Sequence, residues 1–558
     1  VIGRPKSATF RTADVVGIDT LVKVAKGVAD NCPDDEAKKM FAIPSWLDKM
    51  VANNWLGDKT KQGFYKKTTS ENGTEILTLN LANLEYQPKL KKLFPTLQAI
   101  KNIDSLTERL KKIHLLEDNA GMFYKKMNAT IFSYISFRIP EITNHIFNID
   151  NAIKAGFGWE IGAFELWDLL GVGEMCTWMG VNKINYAHWI DTMLLKGFTQ
   201  FYLIKDNKKY YYDIETETYQ LIPNQQQCII YEQYKNNIVW QNDSCKLIDI
   251  GDEVLGLKWN TKMNTIGGDV IAGINQSIQI AEKDFKGIVI ANDGPNFSVG
   301  ANIALILMMA VEQDYDELDL AIATFQNTMM RIKYSSIPIA VAPHGLCFGG
   351  GCELSLHADI LRFVPETYIG LVEVGIGLIP AGGGTKEFTI RASDEVHVDE
   401  PDTIPLKNWF LKIATGQVST SAFDAQKLGI LRKGIDKVVM NPAYRIFEAK
   451  QSILQIQNTG YLKPIPRKDI RVLGRTGLGL LEIGANAMLQ SGYATKHEIK
   501  VANKLANVMC GGDLSETTVV SEQYLLNLER EAFLSLCGEK KTLERIESML
   551  KTGKTIRN

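Results

Sequence analysis

Near residue 245 the chain changes texture. Before it lie long stretches with helical periodicity; after it, short apolar runs alternate with helical patterns, and one hydrophobic core cannot serve both arrangements. A chain of 558 residues is in any case too long for a single core, and its length suggests about three or four domains. In the second half, "EVLGLKW", "GIVIAND" and "IPIAVAP" read as strands, and "GDVIAGINQSIQIAEKD" reads as a helix between the first two. Such alternation predicts βαβ units with loops at a sheet edge. An acidic, Pro-containing stretch, "RASDEVHVDEPDTIPLKNW", reads as a surface insertion, and helical patterns dominate from about residue 470 to the end.

The first half contains a repeat. "FRTADVVGI" (10–18) and "FELWDLLGV" (164–172) share Phe, Asp and Gly in register, and "QGFYKK" (62–67) echoes "TQFYLI" (199–204). Each second motif precedes a polar, hairpin-like stretch, the first of them carrying an Asn-Gly turn signal at Asn72-Gly73. Two copies of one helical module are expected, at roughly 1–90 and 110–225.

Composition removes several classes of function. Net charge is −2 and no Lys/Arg block is interleaved with aromatics, so nucleic acid is not an expected partner. The longest apolar run, "IALILMMAV" (303–311), falls far short of the roughly 20 residues a bilayer requires. The eight cysteines include no CxxC pair, and the seven histidines form no HExxH, so no metal site is expected and a reducing, cytoplasmic setting is the simplest reading. The chain opens on Val1 without an apolar leader, which reads as a piece whose natural start lies upstream.

Two glycine-rich segments look like nucleotide loops but do not fit. "GIGLIPAGGG" (375–384) has Pro380 where a dinucleotide fingerprint needs its third glycine, and "GLGLLE" (477–482) has Glu482 there. "GLCFGGGCELSLHAD" (345–359) behaves differently. A strand ending near Pro343 should lead through a Gly345–Gly351 loop into a helix, whose first N–H groups lack internal partners. "NFSVGANIALI" offers a second junction of this kind at Gly300 and Ala301, and two separated donors suit an oxyanion hole. Glu353 falls in the first turn of the proposed helix, and Glu373 lies among Leu371, Val372, Val374 and Ile376. Carboxylates in apolar surroundings have raised pKa values and can exchange protons near neutrality. A first-turn glutamate is ordinarily a helix-dipole or capping residue, and His344 and His357 read as structural.

Taken together, "WNTKMNTI", "NFSVGANI", "PHGLCFGGGCELSLHADI", "GLVEVGIGLIPAGGGT" and "AFDAQKLGI" stand in the order found in the crotonase (enoyl-CoA hydratase/isomerase) superfamily, which residues 250 to 460 resemble. The resemblance implies an oxyanion hole from the N–H groups of Ala301 and Gly350, with Glu353 and Glu373 as the catalytic pair. It implies that Glu353 orients and deprotonates water, that Glu373 protonates the α-carbon, and that Lys262, Gly300 and Gly349 bind the CoA substrate, Lys262 at the CoA phosphates. Asn302 departs from the Asp that many members carry there.

The first half, through "GRPKSATFRTADVVGIDT", "NWLGDKTKQGFYKK" and "GWEIGAFELWDLLGV", resembles the C-terminal domain of 3-hydroxyacyl-CoA dehydrogenases. The implied fold is multidomain. Two all-α dehydrogenase C-terminal domains (1–90, and 91–225 including a linker) precede an α/β crotonase domain of the ββα-spiral type (245–460) and a helical C-terminal region (461–558). Dehydrogenase before crotonase is the order of one kind of bacterial bifunctional β-oxidation protein. The implied activity is hydration of trans-2-enoyl-CoA to 3-hydroxyacyl-CoA, with enoyl-CoA isomerisation or a non-catalytic CoA-binding scaffold as the alternatives. NAD belongs to an expected upstream domain and no cofactor to these residues; a homo-oligomer and a thiolase partner are further implications.

Overall fold

The computed structural model describes residues 2–5, 7–70, 73–89, 94–101, 103, 105–224, 227–396 and 401–558. Its chain forms two compact units, Val1–Pro223 and Asn224–Asn558.

The first unit is mainly helical: α1 (Ala8–Val16), α2 (Ile18–Asn31), α3 (Ser45–Ala52), α4 (Pro95–Ala99), α5 (Leu106–His114), α6 (Asn119–Glu141), α7 (Ile146–Phe157), α8 (Ala163–Leu170), α9 (Val172–Val181) and α10 (Trp189–Leu195). It is not all-α. Antiparallel sheets β1 (Tyr65–Ser70), β2 (Gly73–Asn80), β3 (Glu85–Pro88) and β4 (Tyr202–Lys205), β5 (Lys208–Asp213), β6 (Thr218–Leu221) follow α3 and α10. The expected hairpin forms, Ser70 pairing with Gly73, while the Asn-Gly turn signal itself falls partly on residue 72, outside the described residues.

The sequence echo has a physical basis. Buried Asp14 on α1 accepts the N–H groups of Phe64 (2.8 Å) and Tyr65 (2.9 Å), where β1 begins. Asp168 on α8 accepts those of Phe201 (2.6 Å) and Tyr202 (2.8 Å), where β4 begins. Each aspartate thus ties a helix to its own hairpin. The glycine after each helix turns the chain into the next at positive φ, 105° at Gly17 and 89° at Gly171, a conformation that costs glycine least.

The second unit is built on a seven-stranded sheet in the order β15-β13-β11-β10-β9-β8-β7. These strands are β7 (Ile238–Gln241), β8 (Cys245–Asp249), β9 (Val254–Trp259), β10 (Gly287–Ile290), β11 (Ile339–Val341), β13 (Ile360–Phe363) and β15 (Lys437–Val438), antiparallel over β7-β8-β9 and parallel from β9 onward. Buried on both sides, β9, β10 and β11 are nearly unbroken apolar runs, as parallel strands require. The stretch from Gly345, expected as loop, instead forms β12 (Gly345–Phe348), which pairs in parallel with β14 (Thr367–Gly370). Ser298 bridges to Cys347, so this small sheet binds the 298–301 loop.

Helices α11 (Gly268–Asp284), α12 (Ile303–Glu312), α13 (Tyr315–Lys333), α14 (Gly350–Leu356), α15 (Gly384–Asp394), α16 (Thr403–Ala414), α17 (Ala422–Lys427) and α18 (Arg445–Thr459) pack about the sheets. Strands β16 (Ile470–Val472) and β17 (Thr518–Val520) accompany the last helices, α19 (Gly474–Gln490), α20 (Lys496–Met509), α21 (Glu522–Cys537) and α22 (Lys540–Thr552). Leu481, Leu505, Met509, Phe533, Leu536 and Ile546 of these helices belong to the same core as Leu257, Ile290 and Val341. The expected surface insertion is corrected: α15 runs through Asp394, and Trp409 of α16 is buried against Phe388, ring centroids 4.7 Å apart. Residues 397–400 of that stretch lie outside the described residues.

Candidate active site

The parallel strands stop at one edge, and the loops that leave them there carry the expected residues. After β10 the chain turns through Phe297–Ala301. Ser298 N–H bonds to Leu346 C=O (3.1 Å) and Phe348 N–H to Ser298 C=O (2.9 Å), which lays this turn beside β12. Gly300 lies at φ 103° and Gly349 at φ 50°. α14 starts at Gly350 with Gly349 as its N-cap, so the Gly350 N–H belongs to the unpaired first turn. Among the described residues, neither the Ala301 nor the Gly350 N–H has an acceptor.

The two donors are close neighbours. A Cβ placed on Gly350 would sit 3.2 Å from the Ala301 nitrogen and 3.0 Å from Phe325 Cζ, while one on Gly300 would lie 3.1 Å from the Gly350 nitrogen. Glycine is needed here because a side chain would fill the space between the donors.

Both glutamates reach this point. The tight α14 helix brings Glu353 inward, almost fully buried, and its Oε1 accepts Gly382 N–H (2.7 Å) and Gly384 N–H (2.9 Å). Burial raises its pKa to about 7 against the lowering effect of those two donors. Glu373 opens a single 3₁₀ turn, Glu373–Ile376, after β14. Its Oε1 lies 2.8 Å from where a Gly349 Cβ would be, and its Oε2 is buried without a partner among the described residues. Burial, and then the charge of Glu353, push Glu373 up to about 8. Two carboxyls titrating near neutrality beside two free N–H donors can take a proton from one atom and return one to another, while a carbonyl oxygen gains charge in the hole.

The other expected residues lie at the same edge. Lys262 is exposed at the start of a 3₁₀ turn in which Met263 and Asn264 both have φ of 54°. That turn is tied to the donor loop by Ile266 N–H to Gly300 C=O (2.9 Å), and the Asn264 amide donates to Asp293 C=O (3.1 Å) and Asn296 C=O (2.9 Å). The Gly349 N–H is engaged by Gly370 C=O (3.0 Å), which leaves its contribution as close approach rather than donation. Asn302 accepts Ala304 N–H (3.2 Å) and caps α12, a role an Asp would fill equally well. His344 bonds to Gly294 C=O (2.8 Å), the structural role expected of it.

Sequence reasoning missed the other wall of the site. "GIGLIPAGGG", set aside as a failed nucleotide loop, supplies the two N–H groups that hold Glu353. Behind it lie buried Lys386 and His357. Lys386 Nζ reaches His357 Nε2 at 2.9 Å and Glu522 Oε2 at 3.1 Å, and it also pairs with Glu387. Burial pulls the Lys386 pKa down, but Glu387 and Glu522 outweigh it, so it is raised and Lys386 stays an ammonium. His357 Nε2 must then accept from Lys386, leaving Nδ1–H to donate to Glu353 C=O at 2.6 Å. Burial, and then Lys386, lower His357 to about 3. The signal for the donors was the AGGG run itself, which has a function as backbone even where the fingerprint fails.

Comparison with known proteins places the chain by family. Residues 252–394 match the family model "Enoyl-CoA hydratase/isomerase", and residues 2–67 match "3-hydroxyacyl-CoA dehydrogenase, C-terminal domain". The whole chain is 40% identical to a Bacillus subtilis protein named "Probable 3-hydroxyacyl-CoA dehydrogenase", of which it covers 70%. It is 27% identical over 99% of its length to the Rickettsia felis "Putative fatty acid oxidation complex trifunctional enzyme", covering 68% of that protein. The crystal structure of enoyl-CoA hydratase from Bacillus halodurans aligns over 54% of this chain and 98% of its own, with 15% identity and a TM-score of 0.37. No helix among the described residues is long and apolar enough to cross a membrane. The chain belongs to the fatty-acid oxidation family that joins a 3-hydroxyacyl-CoA dehydrogenase C-terminal domain to an enoyl-CoA hydratase/isomerase domain.

Proposed function

We propose that the second unit hydrates trans-2-enoyl-CoA thioesters to 3-hydroxyacyl-CoA. The observation that carries this reading is the placement of two buried, proton-exchanging carboxyls, Glu353 and Glu373, beside the free N–H groups of Ala301 and Gly350. The thioester oxygen accepts both N–H groups, which draws electron density from the conjugated double bond and leaves C3 electrophilic. Glu353, as carboxylate, takes a proton from water as the oxygen bonds to C3. Glu373, as acid, gives its proton to C2 as the enolate collapses. One water is added, and the two glutamates exchange protonation states before the next turnover. A mechanism of this kind requires both glutamates, whereas moving a double bond along the chain needs only one shuttling base.

The exposed Lys262 and the buried Gly300 and Gly349 then contact the CoA thioester at the same edge. The match over residues 2–67 and the name of the Bacillus relative support coupling this hydration to NAD-dependent oxidation of the 3-hydroxy product. In this reading NAD serves a dehydrogenase reaction outside the present residues, and residues 91–225 form a second dehydrogenase C-terminal-like domain packed against the first as a pseudo-dimer. The test is the loss of conjugated enoyl-thioester absorbance on adding the chain to crotonyl-CoA. Hydration abolished by either Glu353→Gln or Glu373→Gln is expected; an inert parent chain, or a Glu353→Gln chain as active as the parent, overturns the reading.

A further inference from the structure

The turn that holds Glu353 is itself held from outside the residues matched to the hydratase/isomerase family. Glu529, on α21, is fully buried, and its carboxyl caps the start of α15: Oε1 accepts Gly383 N–H at 2.6 Å and Oε2 accepts Lys386 N–H at 2.9 Å. Donors of this short turn therefore alternate between two carboxyls, Gly382 and Gly384 to Glu353, Gly383 and Lys386 to Glu529. Rotating any of these peptides to release Glu529 would also disturb a donor to Glu353. The turn has little room to adjust, because a Cβ on Gly382 would lie 2.3 Å from Phe325 Cε1, and one on Gly383 2.8 Å from His357 Cε1.

Placing a further buried carboxyl near Glu353 is costly. Burial, and then the charge of Glu353, hold Glu529 well above the ordinary carboxylate range. An amide or hydroxyl could cap one N–H without that repulsion, but only a carboxyl offers two acceptor oxygens to two diverging donors. We infer that Glu529 is a positioning residue for Glu353, fixing the Gly382–Lys386 turn so that the Gly382 and Gly384 N–H groups are aimed at the Glu353 carboxylate. This rests on the hydratase reading for its rate effects but not for its effect on the Glu353 carboxyl.

The experiment uses the full chain with Glu529→Asp, which keeps the carboxyl but shortens the reach, and Glu529→Gln, which keeps the length and one acceptor oxygen. Weakening the two donors removes what lowers the Glu353 pKa, so its titration moves to higher pH in Glu529→Asp. This is read from infrared difference spectra between each chain and the same chain carrying Glu353→Gln, whether or not crotonyl-CoA is hydrated. A misplaced base costs about 100-fold in turnover, so kcat for crotonyl-CoA falls by that order in Glu529→Asp with KM within twofold, and falls less in Glu529→Gln, which still accepts one of the two N–H groups. The inference is overturned by an unmoved Glu353 titration in a folded Glu529→Asp chain, including the case where Tm and kcat fall together. It is also overturned if Glu529→Asp is fully active while Glu529→Gln is not, since the presence of a carboxyl rather than its reach would then be at work. An inert parent chain whose Glu353 titration still shifts with Glu529→Asp would sink the hydratase reading and leave this one standing.

Discussion

Gly350 is the residue at which space and chemistry compete most directly. Its missing Cβ leaves open the gap between the Ala301 nitrogen and Phe325, so Gly350→Val should fill the hole and press on the Phe325 ring. Loss of one oxyanion donor costs roughly 100- to 1,000-fold in kcat, and on the hydratase reading crotonyl-CoA hydration by Gly350→Val should fall in that range while the chain still folds. The glutamates predict a pH signature. The proposed hydration uses Glu353 ionised and Glu373 protonated, so on that reading kcat/KM should be bell-shaped with apparent limbs near about 7 and about 8 that belong to the pair jointly. A stability effect follows with a definite sign. Glu373 keeps its proton in the folded chain over a pH range where the unfolded chain, titrating at 4.5, has released it, so stability falls as pH rises from about 4.5 to about 8. Glu373→Gln removes that loss: thermal melts at pH 8.5 should show it more stable than the parent, with no such gain at pH 4. Both glutamates and both donors were legible in the sequence because each stands beside a glycine or among apolar neighbours that need a reason. The partners of Glu353 were not, since a backbone N–H carries no residue signature and Gly382 and Gly384 lie 29 and 31 positions away.

At the scale of elements, periodicity located α11 to the residue, and the short apolar runs located β9, β10 and β11. It failed at β12, where "GLCFGGG" looks like a loop; pairing with β14 and the bridge to Ser298 turn four of those residues into strand. The repeated aspartates were visible as letters, but their task was not, because the N–H groups they accept lie 33 to 51 positions away. Buried N–H groups left without an acceptor cost about 1–3 kcal/mol, and Asp168→Ala strands those of Phe201 and Tyr202. Denaturant unfolding of that variant should show a loss of this order, with slowed exchange protection lost first along β4 and β5. Burial raises Asp168 to about 7, so the parent's own stability in this region should decline as pH rises from about 3.8 to about 7.

For the whole molecule, the change of texture near residue 245 lies close to a real division, which the structure places between Pro223 and Asn224. The helical pattern from about residue 470 gave no hint that those helices finish the core around the sheet, because an amphipathic face does not name what it packs on. Ending the chain at Gly460 would remove the partners of that core, and such a protein should be recovered aggregated, whereas residues 224–558 alone should fold and hydrate crotonyl-CoA at the parent's rate.

The bond from Gly383 to Glu529 spans 146 positions of chain. During synthesis the sheet, both oxyanion donors and both glutamates emerge well before the residue that fastens the turn between them. Contacts so distant in sequence close late. On the hydratase reading, nascent chains stalled at the end of α18 would then carry every reacting group yet turn over no substrate, so competence waits on the synthesis of α21.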